Sequence, residues 1–445
     1  VGVRHAQTPG VTRTPTPPRG ALLGPLRHRR FRHLALGRTL TYFANSMAPL
    51  ALAFAVLDLG GSAVEVGLVV GARSAANALL LLFGGLLADR LPRGLVLQGA
   101  SLAAALAQGA VAAVLLLEAA TLPLLVVLSV LNGAVSAVSI PASAALTPQT
   151  VPAAELRGAN ALARMGLNTG MIAGTSLGGM TAALLGPGWA LAANAAAFLC
   201  AAAAYRRAGS GLAAPRTGVD GAGVDGAGAG AGAAEGAAPR PGLRHALREL
   251  REGWREFVSR TWVWVVVLQF FVVNAVAAGS LQVLGPALAD ETFGRTAWGF
   301  VLGTQMAGAL AGGFVVARSR ARHALRIGVA VVALDALPLV ALAQSADLAI
   351  LLAAMFVNGM AIEQFGVAWD LSLQENVPED KLARVYSYDA LGSMLALPVG
   401  EMAAGPLAEQ IGVRATLLGG TALVAVATCA ALCSKEVRSL TVRGL

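Results

Sequence analysis

Arg38, Tyr42, Asn45 and Pro49 follow one another at spacings of four, three and four, so a helix drawn through them carries a single polar stripe. Arg73 and Asn77 are one turn apart, and so are Arg164 and Asn168. All of these sit inside long apolar runs. Later runs hold Asn274, Gln305, Asp335, Glu363, Asp370 and Glu401, so the first set is cationic and the second is acidic. Polar groups in such surroundings can bind a solute, pair with one another or exchange a proton, because a carboxylate out of water keeps a cation, a donor or a proton beside it. Asp335, Glu363 and Glu401 are the candidate proton carriers. Arg38 and Arg164 lie close enough to one end of their runs to reach water along their stems. Asp370 and Asp389 are equally suited to capping helix ends.

Other chemistries find little support. H-E-x-x-H is absent, the five histidines fall outside the apolar runs, and neither Lys381 nor Lys435 lies in a phosphate-binding loop. Cys200, Cys429 and Cys433 have neither paired spacing nor neighbouring histidines. No metal, no cofactor and no disulfide framework is expected, and buried, inert thiols are the expectation for the cysteines.

The elements that must position these residues are set by composition. With 445 residues, 56% hydrophobic and 13% charged, and a mean hydropathy of +0.68, the chain is neither an ordinary soluble domain nor a disordered one. Apolar runs of about 20 residues, enough to cross a bilayer, recur along it. Six are expected at Phe31–Leu57, Val64–Leu87, Leu95–Leu117, Leu122–Leu146, Ala159–Leu185 and Trp189–Tyr205, and six more at Thr261–Leu284, Ala297–Ala317, Ala324–Ala343, Leu348–Leu371, Val385–Ala408 and Ala415–Cys433. Between the two sets, Gly209 to Gly242 is a Gly/Ala-rich linker. Leu243, Leu247, Leu250, Trp254 and Phe257 then mark an amphipathic helix expected to lie on the membrane surface. The expected fold class is an all-α membrane protein of twelve transmembrane helices in two six-helix, pseudo-symmetric halves. Residues 31–207 and 261–433 are the halves, joined by 208–260, with a disordered basic tail at 1–30 and a short tail at 434–445.

Charge gives the orientation. A net charge of +9 on a multispanning chain reports loops held in the cytoplasm, and no nucleic acid partner is expected. With the N-terminus inside, the external loops hold only Arg295 and Arg414 as cations. A bacterial cytoplasmic membrane location with both termini cytoplasmic follows.

The two halves repeat. Val151, Pro152 and Leu156 recur as Val377, Pro378 and Leu382, an offset of 226 residues. At the end of the second run stands GGLLADRLPRG, in which Gly85, Leu87, Asp89, Arg90 and Arg93 fit G-x-L-x-D-R-x-x-R. This resembles the signature of the major facilitator superfamily. The resemblance implies the fold of that family and a gating role for Gly85, Asp89, Arg90 and Arg93, as a latch that stabilises the outward-facing form. Pro92 and Gly94 replace the usual glycine and basic residue, so a weaker latch is expected. The matching segment of the second half keeps Gly313, Arg318 and Arg320 but lacks the aspartate.

Pro141, Val151, Pro152, Leu156, Asn160, Val377, Pro378 and Arg384 carry a narrower resemblance, to the subgroup of enterobactin-type siderophore exporters and macrolide-efflux proteins. Gly170, Gly174, Gly178 and Gly179 are similar to the glycine-rich antiporter motif of drug exporters, with Thr175 where proline is usual. Close helix packing explains these glycines as well as a hinge does. Ser129, three residues before Asn132 and Gly133, stands where drug–proton antiporters of the superfamily usually have arginine, so proton coupling does not carry over from that motif. The resemblance implies a secondary transporter working by alternating access. It also implies proton-coupled export of a small amphipathic drug, siderophore or natural product by a monomer, with a small-molecule substrate, protons and the lipid bilayer as partners. Uptake of a small metabolite is the alternative, and a membrane-embedded enzyme or a sensor a more distant one.

Overall fold

The structure, a computed structural model, describes residues 23–88, 92–152, 155–209, 254–255, 257–316, 318, 322–344 and 347–441, with the backbone alone at 82–88, 93, 138–145, 148, 157, 379–380, 383–384 and 387. The expected tail up to residue 22, the linker and most of the expected surface helix lie outside the described residues.

Every regular element among the described residues is helical. Twelve long segments run back and forth: α1 Arg29–Asp58, α2 Ala63–Ala88, α3 Arg93–Leu116, α4 Leu122–Leu146, α5 Leu156–Leu185, α6 Pro187–Gly209, α7 Thr261–Glu291, α8 Arg295–Val316, α9 Ala324–Ala343, α10 Leu348–Asn376, α11 Glu379–Ile411 and α12 Val413–Cys433. Ten of them are long and apolar enough to cross a membrane, and the chain is a multi-pass membrane protein. α5 is not among the ten: Asn160, Arg164, Asn168 and its many glycines dilute it, as suits a helix that packs against neighbours rather than lipid.

With an even number of crossings, the start of α1 and the end of α12 share one face, here the tail face. The turns on the opposite, far face show the repeat most plainly. Gly60 and Gly294 follow α1 and α7 with φ of 78° and 88°, and Gly186 and Gly412 follow α5 and α11 with φ of 91° and 86°. These are left-handed conformations that a Cβ would strain. Packing repeats too. α1 lies on α5 as α7 lies on α11, α2 on α4 as α8 on α10, and α3 on α6 as α9 on α12. The halves meet where α2 packs on α11 and α5 on α8, two contacts that a pseudo-twofold axis interchanges.

Several segments are broken where they carry polar or imino residues. α7 passes through a π segment at Gly279–Leu284, and α9 tightens to a 3-10 turn at Val332–Asp335 ahead of Pro338. α11 contains Pro398 and Pro406, and α1 contains Pro49.

One expectation is corrected. Cys200, Cys429 and Cys433 are exposed, not buried. Their runs are apolar because the bundle exterior faces acyl chains, so an apolar neighbourhood in sequence does not imply burial in protein. At the described end of the expected surface helix Trp254 is exposed. Phe257 is buried, with ring centroids 5.6 Å from Trp254 and 5.7 Å from Tyr388 on α11.

Candidate functional site

The polar stripe of α1 meets the arginine of α2. Arg73 donates from Nε to Asn132 Oδ1 of α4 at 2.9 Å and from Nη2 to Asn45 Oδ1 of α1 at 3.0 Å. The Ser136 hydroxyl lies 2.9 Å from the Asn132 carbonyl oxygen and 3.3 Å from Asn45 Oδ1. Asn77, one turn beyond Arg73, donates to the carbonyl of Gly133 at 3.3 Å. Gly133 is what allows this approach, since a Cβ there would run into the Arg73 carbonyl oxygen.

The guanidinium thus spends two donors on neutral amide oxygens, and its counter-charge comes from the other half. Glu401 of α11 is 3% exposed, accepts a hydrogen bond from Ser74 and stands in the field of Arg73. Glu401 Oε2 and Asn132 Nδ2 are buried without partners. A donor and an acceptor left open beside a cation make a group able to take up a polar ligand atom or a proton.

A second meeting of charges lies nearer the tail face. Arg164 of α5 donates to Asp370 of α10 at 2.7 Å, with the arginine side chain 72% exposed and the aspartate 24%. Tyr386 donates to the other Asp370 oxygen at 3.2 Å, and Glu363 adds a further negative charge near Arg164. Asn168, one turn beyond Arg164 on the same face of α5, is exposed. Arg38 donates to Thr147 at 3.3 Å while its Nε is buried without a partner. Tyr42 and Asn274 are half-buried. Asp389 does not cap a helix end. It accepts from the Trp369 indole at 3.1 Å.

Asp335 and Gln305 do not join the charges between the halves. Gln305 of α8 donates to Asn358 of α10 at 2.6 Å, and Asn358 donates to Asp335 of α9 at 2.7 Å. All three are buried in the second half alone. The 3-10 turn at Val332–Asp335 points the carboxylate at α10, a local twist that spacing does not reveal.

The glycines of α5 divide likewise. A Cβ on Gly170 or Gly174 would strike the backbone of α1 at Thr39 or Phe43, and one on Gly178 would strike Met47. They seat α5 on α1. Gly179 lies against both halves, since its Cβ would meet Leu50 Cδ2 of α1 at 2.7 Å and Gly299 Cα of α8 at 3.2 Å. At the other seam Gly67 lies against the Glu401 carbonyl, Gly71 against Met402, and Gly405 against Ala63 and Val64. All these cross-half approaches are in the far-face portions of the helices.

Sequence reasoning missed two groups. One is Ser74 with Asn132 and Ser136, although Asn132 and Ser136, a turn apart in an apolar run, carry the same signal as Arg73 and Asn77. The other is Arg295, which reaches Asp58 of the first half at 2.6 Å, holds Asp290 through two bonds of 2.6 and 3.0 Å, and lies 5.0 Å from the Phe54 ring centroid. Of the signature segment, Gly85 lies in α2 and Arg93 opens α3, while Asp89 and Arg90 lie outside the described residues. Among the described residues no three His, Cys, Asp or Glu side chains gather as metal ligands would.

Solved structures share this architecture. A bacterial homolog to the human lysosomal transporter Spinster, in an inward-facing and unoccupied conformation, is 16% identical and matches over 92% of this chain and 98% of its own, with a TM-score of 0.68. The same homolog in an occupied, inward-facing conformation is 15% identical over 92% and 96%, with a TM-score of 0.66. The nucleoside transporter NupG is 13% identical over 90% and 98%, with a TM-score of 0.62. At these identities the likeness is one of fold. No curated protein sequence matches the chain. The family pattern of the Major Facilitator Superfamily matches residues 34–400, most of the chain and both halves. The described residues form twelve helices in two repeats, and the chain belongs to the Major Facilitator Superfamily of membrane transporters.

Proposed function

We propose that the protein is a secondary active exporter that moves a small amphipathic molecule, such as a drug, siderophore or natural product, outward in exchange for protons. It works by alternating access in a bacterial cytoplasmic membrane, as a monomer, with both termini cytoplasmic. The observation that carries this reading is the asymmetry of the seam between the halves. On the far face, glycines bring backbone against backbone. Toward the tail face, by contrast, an exposed ion pair, Arg164 with Asp370, spans from α5 to α10.

The excess of cations in the tail-face loops supports a cytoplasmic tail face, and with it a reading in which the far-face glycine contacts close the outer side. A solute would enter past Arg164, Asn168, Glu363 and Asp370 toward Tyr42, Asn45 and Arg73. Rocking of the halves about that level would then break the far-face glycine contacts and form new ones at the tail face. The signature segment at Gly85, Asp89, Arg90 and Arg93 is the expected latch for that second state. Export rather than uptake is supported by the residues resembling siderophore and macrolide exporters.

The test is flux in proteoliposomes with an imposed pH step and a panel of amphipathic compounds. Accumulation in inside-out vesicles that are acidified inside is expected for at least one of them. Accumulation only in right-side-out vesicles would replace export with uptake, and no pH-driven flux across the panel would remove the reading.

A further inference from the structure

Two arginines on the wall of the first half lack an acid. Arg38 and Arg73 stand inside membrane-spanning helices, and among the described residues neither forms an ion pair with a carboxylate. A cation is costly at that depth, and those that are retained meet a partner or a solute. The acids of the second half are engaged elsewhere. Asp370 accepts from Arg164 and Tyr386, Asp389 from Trp369, and Asp335 from Asn358. Glu401 is bonded to Ser74, and its Oε2 is sealed in protein. Glu363 lies nearer the tail face, within the field of Arg164.

Arg73 is held in a way that suits a planar anion. Asn132 accepts from its Nε and Asn45 from its Nη2, so the guanidinium is fixed along one edge by neutral oxygens. The outer edge remains. Nη1 makes no hydrogen bond among the described residues, and it is not sealed in protein as Arg38 Nε is. A carboxylate presents two oxygens that match such a fork. The Tyr42 hydroxyl, three residues before Asn45 on the same face of α1, is likewise unbonded among the described residues and open. Arg38 is one turn nearer the tail face. An acid arriving from that side would meet Arg38, then Tyr42, then Arg73.

We propose that the transported molecule is an organic acid, whose carboxylate binds to the outer edge of Arg73 with Tyr42 donating to one of its oxygens. This rests on the transport reading above and names the class of its substrate.

The test reads binding, not flux. The full chain, with its cysteines replaced, is given Ser46→Cys, half-buried and one turn beyond Tyr42 on α1, and is reconstituted in nanodiscs. An uncharged thiosulfonate labels that thiol at about pH 7, where a carboxylic acid is ionised and an amine protonated. Three competitors of one shape are compared: 1-naphthylacetate, its neutral amide 1-naphthylacetamide, and the cation 1-naphthylmethylamine. The acid is expected to protect at a concentration about tenfold lower than the amide or the amine, as a charge-assisted fork would give. Arg73→Gln should erase that preference, while Arg414→Gln, which removes an exposed cation of α12, should leave it intact. Arg73→Lys keeps the charge without the fork, and Tyr42→Phe removes one donor; each should reduce the preference about threefold. Those two carry the test if Arg73→Gln does not fold. No protection by the acid, equal protection by acid and amide, stronger protection by the amine, or a full preference surviving in the Arg73 and Tyr42 variants would overturn the proposal. The outcome is separable from export. Acid preference without pH-driven flux of any compound would remove the export reading and leave the Arg73 site. Flux of a neutral or cationic compound that no acid competes with would do the reverse.

Discussion

Arg295 and Asp58 join the two halves at the far face, the arginine Nη1 lying 2.6 Å from the aspartate Oδ1 across the ends of α8 and α1. The same guanidinium holds Asp290 and lies over Phe54, but the three partners are not equal in their effect on conformation. Asp290 belongs to Arg295's own half, so that pair survives opening and biases nothing. Asp58 and Phe54 are left behind when the halves part. With spin labels at Ser62→Cys and Ile411→Cys, exposed at the far ends of α2 and α11 in a chain whose own cysteines are replaced, Asp58→Asn is expected to raise the ratio of separated to closed populations about twofold to fivefold, the range for a partly exposed ion pair. Phe54→Leu should do the same to a smaller degree. Asp290→Asn should leave it unchanged, and loosening in that variant would show that the arginine is positioned by Asp290 rather than held by Asp58.

At the other side the bias runs in the opposite direction. Arg164 and Asp370 pair across α5 and α10 with most of the arginine in the open, so screening keeps the pair weak. Asp370→Asn and Arg164→Gln should each widen the tail-face opening. With a lone cysteine at Asn168, the reaction rate of a charged thiol reagent is expected to rise about twofold in either variant, and no further in the double variant. Tyr386→Phe removes only the second bond to Asp370 and should change the rate less.

How far the sequence discloses such relationships differs by level. The helices are legible because a bilayer demands runs of fixed length, and the repeat is legible because Val151 and Pro152 recur as Val377 and Pro378. The glycine turns at Gly186 and Gly412 carry the same offset of 226 residues, so a sequence comparison would have located them as well. Faces are another matter. Asp335 and Glu401 look alike in sequence, each an acid in an apolar run, yet one is bonded inside its half and the other lies on the seam. That difference comes from a 3-10 turn in α9 and from the glycines of α2 opposite α11, both tertiary in origin. Asp58 escaped because a charge beside a turn has many uses, and its partner lies 237 positions away. The cysteines were misread for the reason that lipid and protein interiors select the same residues.

Close approach within α10 gives a test of packing. A Cβ on Gly359 would collide with the Gln305 carbonyl oxygen of α8, whereas at Gly366, seven residues on, nothing lies within 4 Å. Gly359→Ala is expected to destabilise the second half by about 1–3 kcal/mol, since backbone must shift to admit the methyl group. Gly366→Ala should be neutral or slightly stabilising, because alanine favours the helix. Thermal unfolding in detergent, followed by tryptophan fluorescence, separates the two. Equal melting temperatures would mean that α8 and α10 pack less closely at this level.

The chain Gln305–Asn358–Asp335 offers a sharper one, because it opposes two roles for a buried acid. If Asp335 serves only to accept from Asn358, then Asp335→Asn keeps an acceptor oxygen in place and should cost little stability. Asp335→Leu leaves the Asn358 amide N–H unpaired in an apolar interior and should cost about 1–3 kcal/mol. Replacing Gln305, Asn358 and Asp335 together by leucine removes donor and acceptor alike, and most of the lost stability should return. A transport role would break this pattern: Asp335→Asn would then fold as well as the parent yet lose pH-driven flux in proteoliposomes.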